Sequence, residues 1–155
     1  MKRGFVLFVV LAFIFPLSCE QRVNIEAERS KIRTVLDNYV ASVENEDMEL
    51  YAENVAHDPE MVNFGSFGYP IIGWEALKKV MEDQNASLSK TKIEINDLKI
   101  HVSDTGKLAW ATCLWNLKTW MDENPVDMPV RCTWVLEKRE NQWVIVHFHK
   151  SIRAG

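Results

Sequence analysis

Lys92-Ile93-Glu94-Ile95-Asn96-Asp97-Leu98-Lys99-Ile100-His101-Val102 is the stretch on which the fold class turns. Ile93 and Ile95 fall on odd positions, whereas Leu98, Ile100 and Val102 fall on even ones. Side chains alternate between the two faces of a strand, so the apolar set stays on one face only if an extra residue enters near Asn96-Asp97. The stretch therefore reads as a bulged strand, and a bulge bends the sheet that carries it. Downstream, residues 108–121, 130–138 and 143–152 are further strand-like apolar runs, separated by turn signals at 122–127 and a tight turn at 139–142. Together they predict a curved antiparallel sheet of four strands.

Upstream the period changes. Ile25, Ile32, Val35, Leu36, Tyr39, Val40 and Val43 recur at helical spacing and predict one amphipathic helix over 25–44. Asp47 is a good N-cap for a second helix over 48–56, which His57-Asp58-Pro59 stops. Residues 61–64 and 69–72 read as short strands around the turn 65–68, and Trp74, Leu77, Val80 and Met81 mark a third helix. Helices gathered first and strands last predict an α+β domain with the helices covering one sheet face.

The 155 residues, with 18 Lys+Arg, 22 Asp+Glu and 47% apolar content, suit one domain and exclude disordered and collagenous classes. Met1-Lys2-Arg3 leads into eleven uncharged apolar residues, 5–15, stopped by Pro16, too short to span a bilayer at ~20 residues. Leu17-Ser18-Cys19 then resembles a bacterial lipobox, departing from it at Pro16. That resemblance implies a signal peptide over 1–18, a lipidated Cys19, a tether over 19–24 and a domain over 25–155, exported to the cell envelope and touching the membrane by its lipid alone. Removing residues 1–18 leaves 137 residues and moves the net charge from −4 to −6. A negative chain without clustered Lys/Arg argues against nucleic acid as partner. Cys113 and Cys132 lie on strands flanking the 122–127 turn. Centring that hairpin near Asn124/Pro125 sets Cys132 opposite Leu117 and Cys113 opposite Leu136, an offset too long for a disulfide, so buried free thiols are expected.

Four strings, Tyr39–Asp47 (YVASVENED), Ile72–Leu77 (IGWEAL), Arg131–Leu136 (RCTWVL) and Gln142–Ser151 (QWVIVHFHKS), resemble the SnoaL-like domains of the nuclear-transport-factor-2-like superfamily. The resemblance implies a cone-shaped α+β fold, with N-terminal helices on a curved sheet, that commonly dimerises through its sheet. It is a poor guide to activity, since the fold hosts isomerases, dehydratases and non-catalytic hubs. Ketosteroid isomerase chemistry carries over in part. Its oxyanion-stabilising tyrosine matches Tyr39, its general base falls on Asn63, and its second oxyanion donor falls near Thr133. An amide takes no proton near neutral pH, so two of three groups are missing unless Asp58 replaces the base. Asp58 is equally explained as part of the helix stop.

Four further sets of residues are candidate ligand contacts. His147 and His149 share a strand face, together with Trp143, Ile145 and Ser151, but nothing local completes a metal site, so neither metal nor cofactor is expected. Lys150 points the other way, and the matching position in the association domain of calcium/calmodulin-dependent kinase II is a pocket arginine; which face looks into the cone stays open. Arg131, sharing a face with Thr133, can clamp a carboxylate or pair with Glu137. Of the six tryptophans, Trp74 and Trp110 are expected to line a cavity and the rest to be core or dimer interface. The reading is a binding protein for a small hydrophobic or carboxylate-bearing ligand. Its alternatives are an isomerase or dehydratase using Tyr39 and Asp58, or a non-catalytic homodimerisation module.

Overall fold

The computed structural model describes residues 23–66 and 68–152, so the proposed signal peptide, Cys19 and most of the tether lie outside the described residues. Helix α1 spans Ile25–Asn45. Asn24 caps it, its side chain accepting from the Ala27 amide, and Glu46 ends it in the left-handed region at φ 58°. Its inward stripe is Ile32, Leu36, Tyr39, Val40 and Val43, as the spacing predicts, with two unpredicted buried members, Ser42 and Glu28. The Glu28 carboxylate is 9% exposed and accepts from Trp143 Nε1 at 2.7 Å, while Lys138 Nζ and Lys31 Nζ each lie 2.9 Å away. These contacts pin α1 to the last hairpin.

Helix α2 (Met48–Asn54) starts on Asp47, which accepts from the Glu49 and Leu50 amides. It is two residues shorter than expected because Val55 and Ala56 leave it to join a sheet edge: Ala56 N donates to Ile145 O at 2.8 Å. Strands β1 (Val62–Asn63) and β2 (Ile71–Ile72) form a small antiparallel pair. Helix α3 (Trp74–Ser87) follows Gly73, whose φ of +80° and close approach to Pro59 O, 2.6 Å from where a Cβ would sit, admit only glycine.

Strands β3 (Leu88–Val102), β4 (Leu108–Met121), β5 (Asn124–Arg139) and β6 (Gln142–Ile152) make one antiparallel sheet in sequence order. The expected bulge is present: pairing jumps between Asn96 and Lys99, with Asp97 at φ 53°. A second irregularity, between Ser89 and Lys92, adds to the curl. The α+β architecture, with the helices on the concave face, matches the sequence reading.

Two registers differ from expectation, and both matter for the site. The β4–β5 turn is Asp122-Glu123, at φ 46° and 69°, a two-residue turn that matches strand twist; Pro125 lies inside β5, paired with Trp120. Cys113 and Cys132 are therefore directly opposite one another, not offset by four residues. Both are buried free thiols, and contact with Cys132 together with burial pushes the Cys113 thiol well up. In β6, pairing jumps from Ile145 opposite Leu136 to His147 opposite Val135, leaving Val146 extra. That bulge separates His147 and His149 from the face carrying Trp143 and Ile145. Beyond it the inward residues are Phe148 and Lys150.

Candidate functional site

The inner sheet face and α3 enclose a cavity of about 420 Å³. Its walls are the inward positions of β3 and β4 (Thr91, Ile93, Trp115, Leu117, Thr119), of β5 (Val126, Met128, Val130) and of α3 (Leu77, Met81, Gln84). At one end stand Phe148 and Lys150. The lining is mostly aliphatic and thioether. Thr91 and Thr119 hydrogen-bond each other at 2.9 Å, so these two hydroxyls satisfy one another.

Lys150 is the only charged residue in the described lining. Its ammonium lies over three rings, 4.6 Å from Trp115, 4.9 Å from Phe148 and 5.2 Å from Tyr39. Such faces stabilise a cation without neutralising it. Burial lowers its pKa; Tyr51, Cys132 and Cys113 act in the opposite sense, and no carboxylate acts on it. The ammonium is thus a half-buried charge facing the cavity, with three donors to offer and no anion among the described residues.

The local cause is the β6 bulge, which is tied down by the segment before α3. Phe148 N donates to Asn63 Oδ1 at 2.8 Å, Phe64 N donates to Phe148 O at 2.9 Å, and Lys150 N donates to Phe64 O at 2.9 Å. Asn63, where the family's base would stand, therefore serves as a backbone clamp that holds Lys150 facing inward. It does not reach the cavity.

Behind the ammonium is an aromatic cluster. Tyr39 is fully buried, with its ring 5.2 Å from Tyr51 and 6.2 Å from both Trp115 and Trp134. The two tyrosine hydroxyls act on each other but form no well-aligned hydrogen bond, and Trp115 Nε1 and Trp134 Nε1 also lack partners. Burial raises both tyrosines' pKa values, so both phenols are neutral at pH 7. Tyr39 touches Lys150 but is closed off from the cavity.

Of the ten expected site residues, the cavity wall includes Lys150 alone. Asp58 is a surface carboxylate at the other end of the core, gripped by Arg139 through contacts of 2.6 and 2.7 Å. That guanidinium holds its pKa below the usual range, the opposite of what a general base needs. Trp74 stacks on His57 at 4.0 Å rather than facing the cavity. Trp110 is 44% exposed on the outer sheet face, stacked on His101 at 5.0 Å. Arg131 and Thr133 are outward too, since Val130, Cys132 and Trp134 take the inner positions of β5; Arg131 Nη2 donates to Ile152 O at 2.9 Å. His147 and His149 lie on the outer side against Phe64, with His147 Nδ1 hydrogen-bonded to Val62 O. Among the described residues no group of three or more His, Cys, Asp or Glu is placed to hold a metal ion. The reading missed Trp115, Phe148 and the methionines. Their signal was parity with Cys113 on β4 and with Lys150 on β6, readable only once the registers are known.

No curated protein matches the chain in sequence. Among solved structures it is similar to a nuclear-transport-factor-2-like superfamily protein from Salmonella enterica, with TM-score 0.77 and 21% identity over 84% of this chain and 94% of that one. A protein of the same fold from Pseudomonas putida superposes with TM-score 0.73 and 21% identity over 84% and 89% of the two chains. A ketosteroid isomerase-like protein from Erwinia carotovora gives TM-score 0.69 and 14% identity over 83% and 98%. At these identities the likeness establishes the cone-shaped fold alone. The sequence profile of the SnoaL-like domain matches residues 32–155, most of the chain and all of the sheet that builds the cavity. The chain is a member of the SnoaL-like domain family.

Proposed function

We propose that this SnoaL-like domain binds a small hydrophobic acid in its cone, with Lys150 as the anion anchor, and that it does so without converting it. The observation that carries the reading is the half-buried Lys150 ammonium, which faces an apolar cavity, is held over three rings and lacks a carboxylate partner among the described residues. An incoming carboxylate supplies the missing charge while its apolar body covers the walls; a charge-assisted hydrogen bond of this kind contributes about 1.5–3 kcal/mol. Proton abstraction is less well supported, because the described lining holds no carboxylate or imidazole and Asp58 is engaged elsewhere. We assign the protein to the bacterial cell envelope through the leader and Cys19.

Titration with the anionic fluorophore 1-anilinonaphthalene-8-sulfonate, competed by decanoate, tests this reading. Lys150→Met should weaken decanoate at least tenfold, and Arg131→Ala, on the outer face, should leave it unchanged. Loss in Arg131→Ala with retention in Lys150→Met would reverse the assignment. A second copy on the outer sheet face is a companion reading, supported by Leu108, Trp110 and Leu114, each more than 40% exposed there. Sedimentation at micromolar concentration should show a dimer that Trp110→Asp dissociates; a wild-type monomer would remove this reading.

A further inference from the structure

The cavity's proportions narrow the acid it takes. On the sheet side its wall runs from Trp115 to Met121 along β4, six residues that advance about 20 Å at ~3.4 Å each. On the helix side it runs from Leu77 to Ser87, about 15 Å at ~1.5 Å per residue. A volume of about 420 Å³ drawn out over that length makes an elongated slot, along which an extended hydrocarbon chain can keep contacts of ~3.5–4.0 Å with the walls.

The polarity of the slot is one-sided. Lys150 and its rings stand at one end, whereas Val80 and Met121, 41% and 46% exposed, form the open rim at the other. Between them Thr91 and Thr119 hydrogen-bond each other, so mid-slot hydroxyls make no demand on a ligand. Met81, Met121 and Met128 line the run, and unbranched thioether side chains adapt to a flexible guest.

We infer that the occupant is an unbranched alkanoate, inserted carboxylate-first onto Lys150 with its tail leaving past Met121. This rests on the reading of Lys150 as the anion anchor and adds the shape of the apolar body attached to the anion. At ~1.5 Å per C–C bond and tetrahedral angles, a chain advances about 1.3 Å per carbon, so the slot takes roughly 12–16 carbons. The carboxylate can come from a free acid or be the acid terminus of a larger lipid.

The experiment is a competition series with n-alkanoates of 6 to 18 carbons below their micelle concentrations, run beside their methyl esters, 2-naphthoate and a lysophosphatidylcholine of matched chain length. Affinity should rise about threefold to fourfold per methylene, as expected for burial of each CH₂, and level off between 12 and 16 carbons. Methyl esters should bind at least tenfold more weakly than the acids, and Lys150→Met should erase that difference. Leu117→Trp, which places a bulky ring in mid-slot, should move the plateau to shorter chains while decanoate or shorter acids keep their Lys150 dependence. Lysophosphatidylcholine equal to the free acid would reassign the head group to phosphate. Affinity flat with chain length, or 2-naphthoate tighter than dodecanoate, overturns the inference. If 2-naphthoate binds in a Lys150-dependent way while alkanoates do not, the anion anchor stands and only the acyl shape fails. If no acid depends on Lys150, both fail.

Discussion

Glu28→Gln tests how the first helix is held to the sheet. The Glu28 carboxylate accepts from Trp143 Nε1 at 2.7 Å and lies 2.9 Å from both Lys138 Nζ and Lys31 Nζ. Burial alone would raise its pKa, but the hydrogen bonds from Lys31, Lys138 and Trp143 overcome it and hold it at about 2, against 4.5 for an unperturbed glutamate. A gap of that size corresponds to about 3 kcal/mol at neutral pH. Lys31 is half exposed and its share is screened by solvent, so about 2 kcal/mol is the working figure. Because the folded pKa lies below the unfolded one, the stabilisation is complete above pH 4.5 and fades as pH falls toward 2. Gln keeps the shape but leaves Lys138 without its counter-charge. Thermal and urea unfolding at pH 7 should show a loss of about 2 kcal/mol, or roughly 5–10 °C in Tm. At pH 2 the wild-type and variant chains should differ by under about 0.5 kcal/mol, since the carboxylate is then about half protonated in the folded state and almost wholly so in the unfolded one. Equal losses at pH 7 and pH 2 would refute the electrostatic account and leave shape as the cause.

Gly73→Ala should cost about 2 kcal/mol or more, because the backbone at φ +80° is strained for alanine and its Cβ meets Pro59 O; urea unfolding measures it, and a neutral result would contradict the geometry. Asp58→Asn should cost under about 1 kcal/mol, both partners of the Arg139 pair being about 40% exposed, and should leave decanoate affinity within twofold; lost turnover of any substrate found would revive the enzyme alternative. Cys113 and Cys132, buried at 6% and 3% exposure, should react with Ellman's reagent at pH 8 only after unfolding; rapid labelling of the native chain would contradict their burial. Cys19→Ala should move the protein from the membrane to the soluble fraction of a bacterial host, and continued membrane retention would contradict the lipid anchor.

The fold was legible because it rests on patterns with a local physical cause. The helical stripe of α1, the Asp47 cap, the odd-to-even switch at Asn96-Asp97 and the strand over Leu108–Met121 all appear where the residues place them. Each depends on neighbours a few positions away, through backbone capping or side-chain alternation. The helices-then-strands order came from these, while the family likeness came from the four strings over Tyr39–Asp47, Ile72–Leu77, Arg131–Leu136 and Gln142–Ser151.

The candidate site was legible only in fragments because it depends on registers. Pro125 draws the eye as the turn, yet Asp122-Glu123 makes it, and that difference of two residues turns an expected offset into a direct Cys113–Cys132 pair. In β6 the alternation counted from Trp143 puts the histidines on the face of Trp143 and Ile145; one extra residue at Val146 reverses every side chain after it. No hydrophobic pattern within β6 announces that bulge, since its clamp, Asn63, lies 85 positions earlier in the chain. Asp58 likewise meets Arg139 81 positions away. The residues alone determined which elements form and which faces are apolar, since propensity, capping and periodicity act over short range. Only tertiary structure decided that Lys150 faces the cavity while Arg131, Thr133 and both histidines face out, because inward direction is set by long-range pairing that no single segment contains.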